Sequence, residues 1–273
     1  MQRQLRDLDR WYRNVDAPRR GRGDGWRRFF VTSATTVVAV VAALVVLHQQ
    51  GVVVNLEGVS RLVGRGPSVA PGGGGAYRFM ATQPGSSTVP VSYNPCRPIH
   101  VVVNDELAPR TADALLDSAL ARVAEATGLK FVRDGRTDEL PSAHRPTEDV
   151  GRYGRGWSPV LVAWTTPEVD HGLEGKVVGL GGSTRMSDPL SGRERYVTGT
   201  IALDTPSMRQ VLQRPDGMMA ARAILMHELG HVVGLAHVHD RGELMYDDNA
   251  GRADFGPGDL RGLAVLGRGA CAG

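Results

Sequence analysis

The run His227-Glu228-Leu229-Gly230-His231-Val232-Val233-Gly234-Leu235-Ala236-His237 constrains this chain more than any other stretch of it. On a helix, His227 and His231 stand four residues apart and project from one face, one turn above the other, so both imidazoles reach a single ion. Glu228 sits beside them, close enough to take a proton from a metal-bound water without being a ligand itself. Gly234 follows three residues after His231, where the chain must leave the helix through a conformation that a residue without a β-carbon adopts cheaply. That turn delivers His237. Three neutral imidazoles leave a fourth tetrahedral position open for water, which distinguishes a catalytic zinc site from a closed structural one. A pair of ordinary helix histidines would account for His227 and His231 but not for the glycine and the third histidine at this spacing.

Eight residues further on, Met245 stands in Glu243-Leu244-Met245-Tyr246. With HELGHVVGLAH at 227–237 and LMY at 244–246, the chain resembles the metzincin clan of zinc endopeptidases and, within it, the matrixins. The resemblance implies an α+β catalytic domain with a twisted mixed sheet, an active-site helix and a C-terminal helix. It implies His227, His231 and His237 as ligands of one catalytic zinc, Glu228 as general base, Met245 as the methionine of a tight turn beneath the ligands, and protein or peptide substrates. More loosely, PCRPI at 95–99 and ATGLKF from Ala126 look like the opening of bacterial matrixin-like domains, which extends the likeness to about 77–271. The chain departs from the pattern at Val238, where a serine often follows the third histidine, and at Asp247, where a proline usually follows Met-Tyr. Matrixins also carry calcium or a second zinc, but no convincing ligand set for either is legible here.

Residues 29–47 form an uncharged run of nineteen with four hydroxyl side chains, Thr32, Ser33, Thr35 and Thr36. A helix rising ~1.5 Å per residue needs ~20 apolar residues to cross the hydrocarbon layer, and signal-peptide cores are shorter. Nine arginines against four aspartates precede it, and positive flanks stay inside. The expected organisation is a cytoplasmic tail at 1–28, one transmembrane signal anchor at 29–48, a Gly/Pro-rich linker at 49–76 and an extracytoplasmic catalytic domain at 77–273. A secreted form after signal cleavage is the alternative, against which no small-x-small site follows the apolar run. The whole chain carries +3 and its first 28 residues +5, so the remainder is near −2. No basic cluster interleaved with aromatics follows the anchor, so a nucleic-acid partner has no support. The membrane, through the anchor, and peptide substrates are the expected partners, and the domain is expected to be a monomer.

The two cysteines, Cys96 and Cys271, should pair in an oxidising compartment and staple the ends of the catalytic domain. The alternative is that Cys96 is a latency thiolate filling the open zinc position, although its flanks do not match the matrixin propeptide motif.

Along the outer chain, apolar patterning predicts strands at 99–103, 130–133, 160–164, 177–180 and 196–203. It predicts helices at 112–126, with Thr111 as N-cap and Gly128 as stop, at 218–233, and at 259–266 after Gly256-Pro257-Gly258. The segment 177–183 is the expected substrate edge strand, in which Gly179, Leu180 and Gly181 would pair with an extended peptide and the glycines would leave room for its backbone. A glycine-rich hairpin loop is the competing reading. His239 and Asp240 read as solvated or supporting groups, His100, His144 and His171 as structural, and Trp157 and Trp164 as core. Two rival functions remain. An intramembrane zinc protease would place the motif within a multi-span bundle, whereas this chain has one candidate span. A zinc-stabilised binding module without catalysis would have no need of Glu228.

Overall fold

A computed structural model describes residues 74–247 and 251–271. The tail, the apolar run at 29–47 and most of the linker lie outside the described residues. Among the described residues no helix is long and apolar enough to cross a membrane.

The framework is a five-stranded mixed sheet. Its strands are β2 (Ile99–Asn104), β3 (Phe131–Arg136), β4 (Val160–Thr165), β5 (Gly179–Ser187) and β6 (Glu194–Asp204), in the order β3-β2-β4-β6-β5. The first four neighbours run parallel and β5 closes one edge antiparallel to β6. A second, two-stranded ladder joins β1 (Arg78–Phe79) to β7 (Leu235–Ala236). The helices are α1 (Ala112–Thr127), the single turn α2 (Val150–Tyr153), α3 (Thr205–Leu212), α4 (Gly217–Val233) and α5 (Pro257–Leu266).

Alternation decides which way each strand faces. β2 turns Ile99, Val101 and Val103 into the main core, where they join Leu115, Leu116, Ala119 and Val123 of α1. α4 adds Leu225, Met226, Leu229 and Val232 to the same core. β4, flanked by β2 and β6, is buried along its whole length because both faces of the sheet are covered there. On the other face the cover is the chain between β3 and β4. Arg145, almost fully buried, clasps Glu139 through two hydrogen bonds of 2.9 Å and donates to Thr198 Oγ1 at 2.7 Å, while the Tyr153 hydroxyl donates to Glu139 at 2.6 Å.

Several expectations shift by a few residues, three need correction, and one helix was not expected. The strand expected at 177–180 begins at Gly179 and continues to Ser187, and Val177 instead packs beside Leu173, Leu180 and Ala202. Thr111 holds the N-cap position of α1 at φ −90° and ψ 0°, not the extended conformation a capping hydroxyl needs, and makes no cap bond. Gly128 does end that helix, at φ +77° with its N–H on Ala124 O at 2.7 Å. Trp164 is buried, but Trp157 is 48 % exposed, carried on a turn whose Gly154 and Gly156 have positive φ. Helix α3 was not legible: it is eight residues long, opens on Thr205-Pro206, and buries only Thr205 and Met208.

Cys96 and Cys271 are joined in a disulfide with Cα atoms 5.5 Å apart. Beyond α5 the chain returns over the C-terminal end of α1, so close that a β-carbon on Gly267 would overlap Thr127 O. The bridge fixes this return to the segment entering β2. Replacing both cysteines by serine should reduce unfolding free energy by ~2–5 kcal/mol, read as a lower urea midpoint. An unchanged midpoint would mean that the bridge constrains nothing.

Candidate zinc centre

The second half of α4 is enclosed on nearly all sides, which is why His231 and Glu228 are buried although both are polar. Burial of imidazoles requires each N–H to find a partner. His227 Nδ1 lies 2.8 Å from Leu244 O, and His231 Nδ1 lies 2.8 Å from Leu235 O. A carbonyl oxygen can only accept, so both Nδ1 atoms carry the proton and both Nε2 atoms present a lone pair. His237 completes the cup. Its Nε2 is 2.9 Å from that of His227 and 3.0 Å from that of His231, and the remaining edge of the triangle is 3.2 Å. Three lone pairs at such separations repel unless a cation lies among them, so the donor set fits a metal. These three are the one cluster among the described residues with metal-ligand geometry. Desolvation by burial pushes the His227 imidazolium below its ordinary range, takes His231 to about 3 with help from His227, and holds His237 well below that range. All three are therefore neutral ligands at physiological pH.

Gly234 delivers the third histidine for two separable reasons. Its φ is +120°, and a β-carbon would lie 2.9 Å from Leu266 Cδ2 and 3.0 Å from Tyr196 Cε2. The chain then passes through β7, held to β1 with Arg78 opposite Ala236, and reaches His237.

Met245 is almost fully buried, and its sulfur occupies the space a side chain on Gly230 would need: a β-carbon there would lie 2.7 Å from Sδ. The turn's second contribution is the Leu244 carbonyl that orients His227. Val238 N–H donates to Met245 O at 2.9 Å and Asp247 N–H to Val238 O at 3.2 Å, tying the turn to the residue after the third histidine.

Glu228 lies against β5. The Gly181 N–H bonds to its carboxylate, and desolvation, the larger effect, raises its pKa to about 8. β5 is the edge strand, paired on one side only, but the reason for its glycines is corrected. A β-carbon on Gly179 would meet Glu228 Cγ at 2.9 Å and one on Gly181 would meet the Glu228 carbonyl oxygen at 2.3 Å, so the room they leave is taken by α4 rather than by a substrate backbone. Leu180 points away from them into a small cluster with Leu173 and Ala202. Further along, Ser183 Oγ donates to Val232 O at 2.8 Å, fastening the strand to the same helix.

Two acidic residues that sequence reasoning passed over lock the turn to the last helix. Glu243 accepts from Gly258 N–H at 2.9 Å and Asp259 N–H at 2.8 Å, at the N-terminus of α5. Asp259 answers by accepting from Leu244 N–H and from Gly256 N–H, the latter at 3.0 Å. The only available sign was an acid at the third position of a helix opening on Gly256-Pro257. Of the remaining candidates, His239 is exposed and pairs with Asp247, His100 pairs with Asp134 at the surface, and His171 with Glu174. Cys96 is spent in its disulfide, so it supplies no thiolate to the cup.

The matrixin family model matches residues 180–255, a stretch that holds the three histidines, Glu228 and Met245. The chain carries a matrixin-like zinc peptidase domain. Among solved structures it is similar to archaemetzincin from Methanopyrus kandleri, at 16% identity over 60% of this chain and 92% of that chain, with a TM-score of 0.37. No curated protein matches it. Zinc is the metal of this family, and the histidine cup of the matrixin-like domain can hold it.

Burial raises the Asp259 carboxyl from its ordinary 3.8 to about 7, with Glu243 adding to the effect. The native state keeps this proton where the unfolded chain has lost it. The group's contribution to stability is therefore complete below pH ~4 and is lost as pH rises through about 7. Asp259→Asn should remove that loss, so its denaturant midpoint should gain on the parent's between pH 5 and pH 8. A pH-independent difference would contradict the assignment.

Proposed function

We propose that this chain is a membrane-anchored zinc endopeptidase whose catalytic domain works outside the cytoplasm, with Glu228 as the proton carrier. The observation that carries the reading is the position of Glu228: buried, adjacent in sequence to the first histidine of the cup, and held by the Gly181 N–H of the edge strand. Bound zinc would supply a water of lowered pKa and polarise the scissile carbonyl. Glu228 accepts the proton of the attacking water and passes it to the nitrogen of the departing amine. Burial raises the basicity of the ionised carboxylate, which favours its taking the proton of the water. The free edge of β5 near Leu180 offers backbone groups for an extended substrate strand. His227 and His231 keep their orientation through Leu244 and Leu235 while this happens, and Met245 fills the floor. Glu228→Gln should lower peptide turnover by ~10²–10⁴-fold while leaving zinc at one ion per chain. Turnover close to that of the parent would refute the role, and zinc binding without turnover in the parent would leave a zinc-stabilised binding module instead.

Anchoring rests on the apolar run at 29–47 with nine arginines before it, and on a disulfide that an oxidising exterior sustains. Protease added to intact cells should remove the catalytic domain and spare the tail, with the parent protein recovered in membranes. A soluble form beginning after residue 47 would mean cleavage and secretion.

A further inference from the structure

An open groove of about 1150 Å³ lies at the end of the sheet where β2 and β4 begin, on the face turned away from α1 and α4. β2 presents His100 and Val102 to it, opposite to the side chains that enter the main core. Its charges are not balanced. Five arginines line it against three aspartates. Each aspartate is already taken, Asp134 by His100, Asp138 by Arg152 and Asp188 by Arg195. Arg136 turns to Asp105 and Asp113. The guanidinium groups of Arg97 and Arg155 are exposed and have no ion-pair or hydrogen-bond partner among the described residues. Beside them the groove offers two apolar surfaces that water covers at a cost, Trp157 at 48 % exposure and Met186 at 41 %.

We propose that this groove binds an acidic, extended polypeptide segment, and so gives the matrixin-like domain a second docking surface on the opposite face of the sheet from Glu228. Free guanidinium groups select carboxylates through bidentate, charge-assisted hydrogen bonds. An exposed indole and a thioether in the same groove suit a peptide whose acidic residues alternate with apolar or aromatic ones. A polyphosphate backbone fits less well, because Asp134, Asp138 and Asp188 would oppose a continuous run of negative charge, whereas a peptide can place its carboxylates apart from them. Docking here engages only the far end of β5, at Met186, and leaves its free edge near Leu180 open, so one protein can occupy both places. The inference concerns binding alone and stands whether or not Glu228 carries the proton.

The test uses the full chain in non-ionic detergent micelles, in the Glu228→Gln background so that nothing is cleaved. The probe is a fluorescein-labelled twelve-residue peptide of alternating Glu and Tyr, with a Gln/Tyr peptide of the same length as control, read by fluorescence anisotropy. We expect the acidic peptide to bind in a salt-dependent way and the control not to. Arg97→Glu with Arg155→Glu should weaken binding at least tenfold, and Trp157→Ala should weaken it without altering the salt dependence. Because both arginines are exposed, neither change disturbs the fold, and the pair placed in the Glu228 parent should leave cleavage of a short neutral peptide unchanged. Equal binding by parent and double variant would overturn the proposal. So would binding lost only when the arginines of the N-terminal tail are neutralised, or binding of anionic lipid vesicles or single-stranded DNA that is tighter than that of the peptide and is lost with Arg97→Glu and Arg155→Glu.

Discussion

Two hydrogen bonds, from His227 Nδ1 to the Leu244 carbonyl and from His231 Nδ1 to the Leu235 carbonyl, determine what this domain can do. They place a proton on one nitrogen of each ring and a lone pair on the other, and they allow two imidazoles to be buried neutral on the last turns of a helix. Both acceptors belong to backbone that follows α4 in sequence. The metal cup can therefore form only when the chain has left the helix at Gly234, passed through β7 and closed the turn around Met245. Fold and site are consequently one cooperative unit, in which Glu243 and Asp259 extend the lock to the N-terminus of α5.

Close approach of backbones is the second constraint. Gly179 and Gly181 let β5 lie against α4 at Glu228, Gly230 admits the Met245 sulfur, and Gly234 permits both a left-handed exit and contact with Leu266. Adding a β-carbon at any of these positions would push apart elements whose separation sets the position of Glu228 or the spacing of the three histidines. The Glu228 carboxylate is thus positioned less by its own helix than by the lack of side chains on the strand beside it. Burial supplies the rest: it keeps the imidazoles neutral and raises the pKa of the Glu228 carboxyl.

The histidine cup was legible because its information is local: ligand spacing on a helix, a glycine to end it, and a turn of fixed length. Strands β2, β4 and β6 were legible as β-branched runs, and α1 and α4 by their apolar spacing and terminal glycines. What could not be read was set by partners distant in sequence. The glycines of β5 announced a close neighbour, but not that the neighbour is α4. Glu243 and Asp259 are sixteen residues apart, and nothing in either local sequence names the other. Trp157 has the composition of a core residue and is exposed because two positive-φ glycines shape the turn that carries it. Helix α3 shows too few apolar positions for a periodicity to stand out.

The central claim is that three imidazoles, oriented by carbonyl oxygens, hold one catalytic zinc with a place left for water. Zinc K-edge X-ray absorption of the metal-loaded full chain tests it most directly. The account predicts three imidazole nitrogens at ~2.0–2.1 Å with one further light scatterer, and two imidazoles after His237→Ala. A sulfur scatterer at ~2.3 Å, or four protein ligands with no exchangeable position, would contradict it.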